Sequence, residues 1–119
     1  MELSIIHHNN KTIAQLIHHE AWLTDIDDFI DLLGNASYQG ATGIIVHESD
    51  LSPEFFDLST RIAGEILQKF SNYRMKLAIV GDFDKFPSKS LKDFIYESNK
   101  TGHILFVSTL EEATQKIAG

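Results

Sequence analysis

The sequence contains no cysteine, so neither a disulfide framework nor a thiolate site exists, and a reducing compartment is compatible with the chain. It also lacks a basic excess: 10 Lys and Arg stand against 17 Asp and Glu, for a formal net charge of -7 at pH 7. That balance opposes the counterion release that drives binding to nucleic acid, and no Lys/Arg cluster overrides it, so neither nucleic acid nor an anionic membrane is an expected partner. No apolar run approaches the ~20 residues that cross a bilayer. The opening MELSIIHHNN has no basic region followed by a long apolar stretch, and the expectation is a soluble cytoplasmic protein. Internal repeats, low-complexity tracts and linkers are missing too, which leaves residues 1–119 as one domain with a single core.

What is present centres on the stretch from Gly43 to Asp82. Ile44, Ile45 and Val46 form one β-branched run and Leu77 to Val80 another, and short runs without alternation suit strands covered on both faces. The segment between them carries helical spacing at Leu58, Ile62, Ala63, Ile66, Leu67 and Phe70, so the two strands pair in parallel. Upstream, Leu3 to His8 and Thr12 to His19 flank Asn9 and Asn10, which tolerate positive φ and read as a β-hairpin. Thr24 and Asp27 make a capping-box pattern for a helix from about Asp25 to Leu33 or a little beyond, whose inward positions are Ile26, Phe29, Ile30 and Leu33, and Gly34, Gly40 and Gly43 punctuate the approach to the next strand. Ser52 before Pro53 and Asp57 before Leu58 are both helix starts and suggest a short turn leading into the main helix. Ser90 with Asp93, and Thr109 with Glu112, cap two later helices on either side of the strand Ile104 to Val107. Gly102 stops the first, and Leu110, Ala113 and Ile117 face inward in the second. The order is ββαβαβαβα, a layered α/β domain with a mainly parallel sheet.

In such sheets ligands and partners meet the carboxyl ends of the strands. His47, Glu48, Asp50, Glu54, Asp57, Asp82 and Asp84 map there, as does a paper triad of Ser59, His47 and Asp82. The acidic spacing matches no metal motif, Asp is common at loop ends because it caps helices, and the nucleophile-elbow pattern is absent. Six histidines include the pairs His7/His8 and His18/His19, but the hairpin separates those pairs by roughly 30 Å, so no single metal uses both and no cofactor is expected. The sharper feature is Phe55-Phe56-Asp57-Leu58-Ser59-Thr60-Arg61, which places Ser59 and Thr60 in the first turn of the main helix, where N–H groups favour an anion, beside Arg61.

Nearly the whole chain, most closely GNASYQGATGIIVHESDLSPEFFDLSTRIAGEILQKFSNYRMKLAIVGDF with SKSLKDFIYESN, resembles the bacterial family catalogued as domain of unknown function 4180. The element order and FFDLST also resemble, more distantly, the STAS domains of anti-sigma-factor antagonists, which bind a partner kinase through a helix start bearing a phosphorylated serine. That second resemblance implies a single STAS-like domain in which Asp57 and Ser59 match the acid and phosphorylated serine of an Asp-Ser-Ser-Gly pattern, with Leu58 and Thr60 standing at its other positions. Two functions follow as expectations. One is a non-enzymatic regulatory or protein-binding module that presents residues 49–61, with Asp57, Ser59, Thr60 and Arg61 as contact or phosphorylation residues. The other is a small-molecule binder or enzyme using the acidic crevice at His47, Glu48 and Asp82.

Overall fold

The computed structural model describes residues 2–18 and 23–119. Its chain opens with the antiparallel hairpin β1 (Glu2–His8) and β2 (Lys11–His18). Asn9 and Asn10 have φ of 50° and 65°, the left-handed pair that a two-residue turn requires to follow the strand twist. From there the chain alternates: α1 (Ile26–Tyr38), β3 (Gly43–His47), the short α2 (Pro53–Phe56), α3 (Ile62–Asn72), β4 (Lys76–Val80), α4 (Lys89–Thr101), β5 (Ile104–Val107) and α5 (Leu110–Ala118). The sheet has five strands in the order β1-β2-β3-β4-β5, parallel from β2 onward. The expected mainly parallel sheet with an N-terminal hairpin is therefore the architecture found, and the hairpin lies at one side of it.

Crossovers of one hand that step the same way along a sheet lay their helices on one face. Phe29, Leu32 and Ala36 of α1, Ala63, Ile66 and Phe70 of α3 and Leu91 of α4 all meet Ile44, Val46, Leu77, Ile79, Ile104 and Phe106 there. The opposite face carries Ile45, Ala78, Val80, Leu105 and Val107, and among the described residues α5 alone covers it, with Ala113 and Ile117. Alternate residues of β3, β4 and β5 thus enter different cores, which is why these strands read as unbroken apolar runs.

Several boundaries differ from expectation. The box that starts α1 is Asp25 with Asp28, each side chain accepting the other's N–H at 3.1 and 3.2 Å, one residue later than Thr24 with Asp27. Asp28 also accepts the Thr24 N–H at 2.8 Å, so its carboxylate serves both groups and the later register wins. Gly34 does not end α1: Leu33 and Ala36 are both buried, and their packing carries the helix through it to Tyr38, with Gly40 at φ 82° turning the chain afterwards. Ser88, not Ser90, caps α4 by accepting the Leu91 N–H at 3.2 Å, a register that buries Leu91. Thr109 caps α5 and Gly102 closes α4 as expected. Leu110 and Ile30, expected inward, are 38% and 41% exposed, because each lies at the margin of its helix's packed stripe.

Candidate functional site

The carboxyl ends of β3 and β4 carry two loops. From β3 the chain makes a short helical turn at residues 48–50, enters α2 at Pro53, makes a second three-residue turn at residues 58–60, and only then starts α3 at Ile62. Phe55 and Phe56 on α2 are buried and hold this segment down, while Asp57, Ser59, Thr60 and Arg61 are exposed on top. The placement of Ser59 and Thr60 in the first turn of the main helix is thereby corrected. They lie in a separate turn before it, and their N–H groups do not belong to the α3 terminus.

Local hydrogen bonds explain the break. Asp57 Oδ1 accepts from the Ser59 N–H at 3.0 Å and from the Ser59 hydroxyl at 2.7 Å. Thr60 Oγ1 lies 2.8 Å from the carbonyls of both Glu54 and Asp57 and shares its one proton between them. Such side-chain bonds offer the backbone a tighter alternative to α-helix. Arg61 then takes φ 67°, a left-handed conformation uncommon outside glycine, and redirects the chain into α3. The Ser59 hydroxyl and then its N–H hold the Asp57 carboxyl below the ordinary aspartate value. Glu54 is also lowered, first by its own backbone N–H and then by the nearby Ser52 hydroxyl. The Arg61 guanidinium forms no ion pair among the described residues, so the turn shows one anchored carboxylate and one cation to solvent.

The acidic crevice has a different character. Glu48 crosses from the β3 loop to the β4 loop, where its Oε1 accepts the Asp82 N–H at 2.9 Å and its Oε2 pairs with Lys85 at 2.7 Å. Asp82 Oδ1 accepts the Asp84 N–H at 3.1 Å, and Asp50 accepts the His47 N–H at 2.8 Å, with the His47 ring nitrogen 3.9 Å away. Each of these carboxylates tethers a loop. Ser59, His47 and Asp82 have separate partners, and no hydrogen bond joins them into a triad. Among the described residues no group of three or more His, Asp or Glu is placed to hold a metal ion. His7 and His8 sit by the hairpin turn. Backbone register sets His18 at the far end opposite Glu2, while His19 lies outside the described residues. Two grooves flank the crevice: one of about 440 Å³ between Glu48, Leu51, Phe56, Lys85 and Phe86, and one of about 590 Å³ that includes Asp82, Asp84 and Phe106. His47 lines neither groove, and Glu48 and Asp82 line different ones.

The sequence comparison decides the family. A family model described as Domain of unknown function (DUF4180) matches residues 8–117. The chain belongs to this family. No curated protein and no solved structure matches it.

What sequence reasoning missed in this DUF4180 domain is the aromatic floor beneath the site. Of the eight phenylalanines, all but Phe70 join one ring network. Phe55 stacks on Phe29 at 5.9 Å, Phe56 stacks on Phe86 at 4.7 Å, and Phe83 meets Phe106 edge-on at 5.1 Å. The signal was the clustering of Phe55, Phe56, Phe83 and Phe86 in segments that follow strands, where loops are ordinarily polar. Leu23 adds a second tether: its N–H donates to the Asp50 carbonyl at 2.8 Å and its carbonyl accepts from Ser52 at 3.1 Å. No helix among the described residues is long and apolar enough to cross a membrane.

Proposed function

We propose that this chain is a non-enzymatic, STAS-like regulatory module of the bacterial cytoplasm that binds a protein partner through residues 49–61. The observation that carries the reading is the turn Asp57 to Arg61: exposed polar groups on a backbone locked from below by Phe55 and Phe56 and from within by the Asp57 and Thr60 side chains. A preformed surface of this kind gives up little conformational entropy on docking. The net charge of -7 supports a protein rather than nucleic acid as partner. The Ser59 hydroxyl already donates to Asp57, so phosphorylation would set a phosphate against that carboxylate and open the turn. Modification of Ser59 in this reading releases the docked partner.

The test is affinity capture from the source cell with the tagged chain, followed by titration of the purified partner against wild type, Asp57→Asn and Arg61→Ala. Arg61→Ala is expected to weaken binding about tenfold or more while leaving the thermal melt in place. Equal affinity for all three chains would remove residues 49–61 from the interface.

A second reading, small-molecule binding or catalysis in the crevice, draws support from the groove of about 440 Å³, which lies within the range of ligand sites. A thermal-shift screen against metabolites, repeated on Lys85→Ala, distinguishes it: a stabilising compound whose effect Lys85→Ala abolishes would favour the groove over the turn.

A further inference from the structure

The two edges of the sheet are treated differently. On β5 the Asn99 side chain, projecting from α4, accepts the Phe106 N–H at 2.7 Å and donates to the Phe106 carbonyl at 3.3 Å, so a side-chain amide occupies the place of a neighbouring strand. β5 is also short, four residues in all. β1, at the other edge, is seven residues long, contains no lysine or proline, and has no element beyond it among the described residues. Short length, lysine, proline and a covering group are among the ways to keep such an edge from pairing, and among the described residues β1 uses none of these four.

Hairpin geometry says which backbone groups of β1 face outward. His8 and Lys11 flank the Asn9-Asn10 turn and form the hydrogen-bonded pair next to it. Ser4, Ile6 and His8 therefore direct their N–H and C=O groups to β2, and Leu3, Ile5 and His7 direct theirs to the open side. The register shift near Glu2 accommodates an extra residue in β2 and leaves β1 continuous. Burial stops short here as well. Leu3 and Ile5 pack against one core and Ile6 against the other, and all three are only partly buried.

We infer that β1 pairs antiparallel with β1 of a second copy of this chain, about a two-fold axis at Ile5, joining two five-stranded sheets into one. The strand is complementary to itself in that register. Leu3 lies opposite His7 of the second copy and Ile5 opposite Ile5, and these are the three residues whose backbone groups face the open side, with no partner among the described residues. The remaining pairs, Ser4 with Ile6 and Glu2 with His8, are the non-hydrogen-bonded kind, in which side chains approach most closely. The Glu2 carboxylate at one end thus meets an imidazole N–H donor at the other, twice by symmetry. Ile5 against Ile5 extends the helix-covered core across the junction, and Ile6 lies against Ser4 on the α5 face.

The experiment is sedimentation equilibrium of the full chain at up to about 100 μM, with circular dichroism melts on every variant. Wild type is expected at twice the 13.4 kDa chain mass. His8→Glu sets carboxylate against carboxylate and should raise the dimer dissociation constant about tenfold, and Glu2→Lys/His8→Glu, which restores opposite charges in the same register, should bring it back. His7→Pro removes an outward N–H and none that β2 uses, so it should abolish the dimer with the monomer still folded. A wild type that stays monomeric at that concentration, or a dimer that His8→Glu and His7→Pro leave unchanged, would overturn the assignment, the latter by placing the interface elsewhere, such as the groove of Ile30, Tyr38 and Tyr73 between α1 and α3.

Discussion

Gly81 is where the two loops of the carboxyl end touch, and a double-mutant cycle there tests the tether that Glu48 provides. A Cβ at Gly81 would lie 2.7 Å from Glu48 Cγ and 2.8 Å from its Oε1, nearer than side chains approach. Alanine must therefore push the carboxylate off the Asp82 N–H and away from Lys85. Losing a hydrogen bond to a charged acceptor costs about 1–2 kcal/mol, at the lower end here because the Asp82 N–H then reaches water. The Lys85 side chain is 56% exposed, so its ion pair adds no more than about 0.5 kcal/mol. Gly81 does not sit at positive φ, and alanine restricts the unfolded chain, which offsets about 0.5 kcal/mol. Gly81→Ala is thus expected to lose about 1 kcal/mol, or a few degrees of Tm, and Glu48→Ala about 1–2 kcal/mol. Truncating Glu48 removes the contacts at Cγ and Oε1 but keeps its Cβ, 2.9 Å from the new methyl, so part of the clash remains and the double variant should lose less than the sum of the two single losses, a coupling of up to about 1 kcal/mol by urea denaturation. Losses that simply add would show that Glu48 does not hold the loops together.

Two further outcomes test the core and the turn. Ile66 is fully buried on α3 and Leu67 only partly, so Ile66→Ala should cost about 2–5 kcal/mol and Leu67→Ala clearly less; equal losses would contradict the helix rotation. The Asp57 carboxyl is lowered in the folded protein, so its contribution is present above the unfolded value near pH ~4 and is lost as pH falls through the folded value below that. Asp57→Asn should therefore be less stable than wild type at neutral pH, and its Tm deficit should shrink in acid; a deficit constant with pH would mean that the charge is irrelevant to the turn.

The fold was legible where local and tertiary demands agree. Asn9-Asn10 has one good use between two apolar segments, and the unbroken runs at Ile44 to Val46 and Leu77 to Val80 are what a doubly covered sheet needs. Helix starts were less legible because this chain offers competing caps. Thr24, Asp25, Ser88 and Ser90 are all competent, and the winner is decided by which register buries Leu91 or lets Asp28 serve more than one N–H. The candidate turn was located but misread, since periodicity running from Leu58 into Ile62 continues across a break made by hydrogen bonds. Thr60 bonding back to the Glu54 carbonyl and the left-handed Arg61 leave no mark on apolar spacing. The acidic crevice was legible only in outline for a related reason: a count of carboxylates near strand ends cannot tell Glu48, spent on a backbone N–H, from one facing solvent.

The two proposals constrain each other through symmetry. Pairing β1 with β1 about a two-fold axis normal to the sheet keeps both helix-covered faces on the same side, because residues opposite each other in an antiparallel pair share a face. It also reverses the strand direction between copies, so the carboxyl ends of β3 and β4, and with them the turn from Asp57 to Arg61, point outward at opposite ends of the joined sheet. Neither turn is covered by the junction, which lies at the far side of β2. A compact partner docked on one copy therefore cannot reach the other, and dimerisation adds no effective concentration to that contact. The dimer and the docking turn then act as independent features, one setting how many turns an assembly displays and the other setting the affinity of each.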